Sequence, residues 1–105
     1  MIDERFRVDE KRPFHGKFWP KGIPYELDYD YSMTLGQMFD EAVEKHAEKP
    51  LIYFLKTWIS YKELKEMVDS FATYLHNIGV KKGDVIAIDL PNCIQYEVAY
   101  YAIIK

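Results

Sequence analysis

The stretch Gly79-Val80-Lys81-Lys82-Gly83-Asp84 sets two glycines and two lysines within six residues, the raw material of a phosphate-binding loop. Such loops work because glycine lets backbone amides approach phosphate oxygens while a lysine offsets their charge. The spacing speaks against that use. A Walker A loop keeps four residues between its glycines, continues with Lys and Ser/Thr, and leads from a strand into a helix. Here three residues separate the glycines and Asp84 follows, so a plain turn from a helix into a strand is the better reading. The remaining reactive types are sparse. His15, His46 and His76 are the only histidines, none has a second ligand one helical turn away, and the lone Cys93 cannot complete a thiolate zinc site. Cys93 opens a helix, where a thiol pKa can fall, but a nucleophile needs a base beside it and the sequence offers none. Asp84 and Asp89 flank one strand, and paired-carboxylate catalysis needs a second group across a cleft. The residues therefore nominate no catalytic, cofactor-binding or metal-ligating position in this chain.

The elements that carry these residues are better marked. Thr34-Leu35-Gly36-Gln37 is a capping box, and Leu35, Met38, Phe39, Ala42, Val43 and His46 follow at helical spacing on one face. Pro50 predicts a stop by residue 48 or 49. Two short apolar runs, residues 51–54 and 57–60, predict a β-hairpin, although no glycine marks its turn. Ser60-Tyr61-Lys62-Glu63 is a second capping box. The helix after it should bury Leu64, Met67, Val68, Phe71, Ala72, Leu75 and Ile78 and finish at Gly79 in a left-handed turn. Residues 85–90, VIAIDL, read as a core strand, apolar on both faces except at Asp89. Pro91 ends it, and Asn92 is expected to cap a last helix over residues 94–104 that is apolar nearly all round. A strand and such a helix make the first two-thirds of a βαβ unit, so the returning strand is expected to lie beyond Lys105. Before residue 34, Pro13, Pro20 and Pro24 with Gly16 and Gly22 forbid a regular helix. The many apolar side chains there, Phe14, Phe18, Trp19, Ile23 and Tyr25 among them, predict an arm that drapes over a folded body.

Composition narrows the class. With 105 residues the chain is one small domain or part of a larger one. Aromatic residues make up 16%, too many for a disordered tail. The net charge is −3, and Lys11-Arg12 and Lys81-Lys82 are isolated pairs, which excludes a nucleic-acid partner. One cysteine and no apolar leader fit a reducing cytoplasm, and no run nears the ~18 apolar residues of a membrane span.

The order of these elements resembles the N-terminal region of the adenylate-forming acyl-CoA synthetases, the AMP-binding enzymes that include firefly luciferase and peptide-synthetase adenylation domains. That family shows a Thr-Tyr-x-Glu-Leu box opening a helix; here it is Ser60-Tyr61-Lys62-Glu63-Leu64. Its Gly-Val-x-x-Gly-Asp-x-Val turn and strand is similar to residues 79–86, and its Pro-Asn before a helix to Pro91-Asn92. Trp19-Pro20-Lys21-Gly22-Ile23-Pro24 resembles the lead-in of long- and medium-chain fatty acyl members, so the likeness covers residues 19–105. The resemblance implies an α/β fragment of the large N-terminal domain: an irregular arm over residues 1–33, then a partial subdomain over 34–105 of three helices, a β-hairpin and a core strand. In such enzymes ATP with Mg²⁺ adenylates the acid, pyrophosphate leaves, and the CoA thiolate then attacks the acyl-adenylate. The residues that do this lie downstream: a Ser/Thr/Gly-rich loop near a lysine, an aromatic-Gly-x-Thr-Glu box, a ribose-binding aspartate and a C-terminal lysine. None has a counterpart here.

The expectation is an N-terminal scaffold fragment of a fatty acid-CoA ligase, inactive alone. It carries no catalytic, cofactor or metal residue, while ATP, Mg²⁺, CoA and fatty acid serve the full-length enzyme. The alternative is a standalone interaction module that dimerises through the same scaffold. The first reading makes the rest of the parent enzyme its partner, and either way self-association with further copies of the chain is expected.

Overall fold

The computed structural model describes residues 20–24 and 27–105; His15 and the expected arm residues Phe14, Phe18, Trp19 and Tyr25 lie outside the described residues. The chain divides into two compact units, residues 1–31 and 32–105. In the first, the Ile23 amide donates to the Pro20 carbonyl at 3.4 Å, with Gly22 at φ +84° in the third position that a type II turn requires.

The second unit runs α1 (Leu35–His46), β1 (Pro50–Phe54), β2 (Thr57–Ser60), α2 (Tyr61–Asn77) and α3 (Ile94–Ile104). The α/β assignment of the sequence is met: three helices beside a two-stranded antiparallel sheet. Both capping boxes form. Thr34 Oγ1 accepts the Gln37 amide at 3.2 Å while Gln37 Oε1 accepts the Thr34 amide at 2.9 Å. Ser60 Oγ accepts from Glu63 at 3.1 Å and Glu63 Oε2 from Ser60 at 2.8 Å. The Ser60 amide thereby holds the Glu63 carboxyl below its usual pKa. At the far end of α2, Gly79 at φ +96° lets its amide reach the His76 carbonyl (3.0 Å) and the Val80 amide reach Leu75 (3.1 Å), a complete Schellman motif.

α1 ends at His46, within the limit that Pro50 sets. The reason is the junction it makes. The carbonyls of Ala47 and Lys49 accept the amides of Lys62 and Tyr61, at 3.0 and 3.1 Å. Carbonyls beyond α1 thus satisfy the first-turn donors of α2, which no bond within that helix could reach. The hairpin loops out between these contacts. Ile52 pairs with Ile59 facing the core, and Tyr53 with Trp58 on the outer face, their rings 4.9 Å apart. The register shifts between Pro50 and Ile52, so Leu51 is the extra residue of a bulge. The two-residue turn needs positive φ at both positions, and Leu55 (+47°) and Lys56 (+63°) adopt it without a glycine.

The core gathers Phe39 and Val43 from α1, Leu64, Val68 and Leu75 from α2, and Ala102 from α3, with Leu64 and Val68 fully buried. Phe39 stacks on Tyr101 of α3 at 4.3 Å. Four expectations are corrected. Ile78, counted on the buried face of α2, sits at its C-cap and is 59% exposed. Leu35 and Met38, counted on the buried face of α1, are about half exposed, because α2 and α3 cover only the side that Phe39 and Val43 present. Asn92 is not the cap of α3. Cys93 takes that position with extended backbone and no side-chain bond, which leaves Asn92 one residue too early for its amide group to serve the first turn. Residues 85–90 do not join the sheet. Ile86 and Ile88 are half-buried and Val85, Ala87 and Asp89 exposed, an alternation proper to a strand, but β1 and β2 supply the only ladder among the described residues.

Candidate functional site

Four places combine reactive or polar side chains. In the loop after α2, the Asp84 amide donates to the Lys81 carbonyl at 3.0 Å and the Lys81 amide donates back to Asp84 Oδ2 at 2.8 Å, with Gly83 at φ +95°. The amides of Gly79 and Val80 are thus spent on α2 carbonyls and those of Lys81 and Asp84 inside the loop, and a carboxylate stands on it. Four of the six amides of residues 79–84 are therefore occupied, which leaves no continuous row of donors of the kind a phosphate cradle uses.

Cys93 is half-buried at the start of α3 and opens on a pocket of about 420 Å³ shared with Leu51, Phe54, Asn92, Glu97 and Tyr101. Burial, then the charge of Glu97, pushes the Tyr101 phenol up, so it serves as no base at neutral pH. No histidine lines the pocket. His46 lies against Tyr61, ring centroids 5.7 Å apart, with its Nδ1 buried and unpartnered; His76 is exposed in the last turn of α2. Asp89 is exposed. Among the described residues, no three His, Cys, Asp or Glu side chains come together as metal ligands.

The third place was hidden from the sequence. Lys65 Nζ donates to Asp40 (3.1 Å) and Asp69 (2.7 Å), and Lys105 Nζ donates to Asp40 (2.9 Å) and to Asp69. Two cations and two carboxylates alternate in one cluster tying α1, α2 and the end of α3. The hydrogen bond from Lys105 holds the Asp40 carboxyl below its ordinary value. At Asp69 burial pulls the other way but is outweighed by bonds from Lys105 and Lys65. Asp69, reinforced by Asp40, raises the Lys65 pKa. Only the Lys65–Asp69 pair, four residues apart on one helix, carries a sequence signal. The cluster satisfies its own charges, and its chemistry is cohesion.

The fourth is an open groove of about 920 Å³ between α2 and α3, floored by Met67, Phe71, Tyr74, Ile94, Val98 and Ala99. Glu63 and Glu66 stand at its edge. Ser70 also lines it, and its hydroxyl donates to the Glu66 backbone carbonyl at 2.8 Å rather than to a side-chain base.

Against this geometry, the AMP-binding enzyme family matches residues 39–105. This chain belongs to the AMP-binding enzymes. The matched span contains both the second capping box and the Gly79–Asp84 loop. Over 88 residues, 83% of the chain, it is 33% identical to a long-chain-fatty-acid–CoA ligase of Escherichia coli O6:H1, and over 90 residues, 85% of the chain, 31% identical to one of Yersinia pestis. A crotonobetaine/carnitine–CoA ligase of Salmonella paratyphi A is 27% identical over 75% of the chain. Each alignment covers 16% of the relative, so this AMP-binding chain spans about a sixth of the length of the curated relatives it matches. No solved structure matches. Among the described residues, no helix is long and apolar enough to cross a membrane.

Proposed function

We propose that the whole protein is a cytoplasmic fatty acid–CoA ligase and that residues 34–105 serve it as scaffold in the large N-terminal domain, with residues 1–33 as an arm. The observation that carries this reading is the employment of the family-like residues. Ser60 and Glu63 cap a helix, Gly79 ends it, and Gly83 and Asp84 close a turn, so each of them serves the fold. In the proposed reaction a carboxylate oxygen of the fatty acid bonds to the α-phosphorus of ATP as pyrophosphate leaves, Mg²⁺ offsetting phosphate charge. The CoA sulfur then bonds to the acyl carbon as AMP leaves. ATP, Mg²⁺ and CoA are held by residues outside this chain.

The test has two arms. The whole protein, given ATP, Mg²⁺, CoA and hexadecanoate, forms AMP, pyrophosphate and acyl-CoA in equal amounts; no AMP with any medium- or long-chain fatty acid overturns the ligase assignment. The 105 residues alone release no pyrophosphate above a protein-free blank, and release would overturn the scaffold assignment.

One observation favours a second activity for the chain by itself. Residues 85–90 alternate like a strand but join no ladder among the described residues, and Val85 is 96% exposed. An unpaired strand edge invites another chain. We therefore assign the isolated chain a self-associating state; sedimentation showing only monomer at about tens of micromolar refutes it.

A further inference from the structure

We draw no further inference here: the strongest candidate, the open apolar groove between α2 and α3, lies beside the unpaired residues 85–90 already taken up in the proposed self-association, and nothing in the structure shows what covers it.

Discussion

α2 begins on a reciprocal serine–glutamate cap and finishes in a glycine turn, whereas α3 begins at Cys93 with no side-chain bond to its first amides. α2 also buries one stripe, Leu64, Val68 and Leu75, and leaves Glu66 and Ser70 exposed. α3 is apolar almost all round. It holds its place through Ala102, Tyr101 and the reach of Lys105 to Asp40 and Asp69. The contrast separates two ways of specifying a helix. One is written in residues three or four apart; the other depends on what packs against it.

Mutations can break that contrast. The largest effect is expected where the two helices share the core. Leu64→Ala should cost about 2–5 kcal/mol in urea-induced unfolding, because a fully buried side chain leaves a cavity. Leu90→Ala, at a site 44% exposed, should cost under about 1 kcal/mol. Equal losses would mean that residues 85–90 are as firmly packed as α2. Next come the caps. Ser60→Ala should lower stability by about 1 kcal/mol, while Asn92→Ala leaves it within about 0.5 kcal/mol. A comparable drop for Asn92 would restore it as the cap of α3.

The smallest effect concerns the cluster joining α3 to the other helices. Folding depresses the pKa of Asp40 and Asp69, so their contribution is in place above the unfolded value of about 4 and drains away as pH falls through the folded values. Their side chains are 43% and 45% exposed, so the contribution is modest and screened by salt. The double variant Asp40→Asn, Asp69→Asn should flatten the stability–pH curve below about pH 5. A slope like that of the parent would leave α3 without an electrostatic tie.

What could be read in the sequence follows the same division. The two capping boxes and Gly79 are local chemistry, and the structure realises each of them. The hairpin was legible from its apolar runs although its turn was not. Leu55 and Lys56 occupy the left-handed region at a cost of about 1 kcal/mol or more each, so tertiary packing of Ile52 and Ile59 overrides local preference there. Asn92 failed as a cap because the helix starts one residue later than its capping pattern implied, with Cys93 in the cap position. Asp40 and Lys105 lie 65 positions apart, beyond any pattern of spacing. The candidate loop at residues 79–84 was rightly read as a turn; its internal Lys81–Asp84 bond is the feature that only coordinates could supply.

The junction between α1 and α2 has a practical use. The chain leaves at Lys49 and returns at Tyr61, and those two residues are bonded to each other. The hairpin is therefore a detour whose entry and exit are stitched shut, and its tip at Leu55 and Lys56 is a natural port for a guest peptide. Because the entropy of closing a loop grows only with the logarithm of its length, an epitope or reporter placed there leaves the helices' mutual anchoring intact.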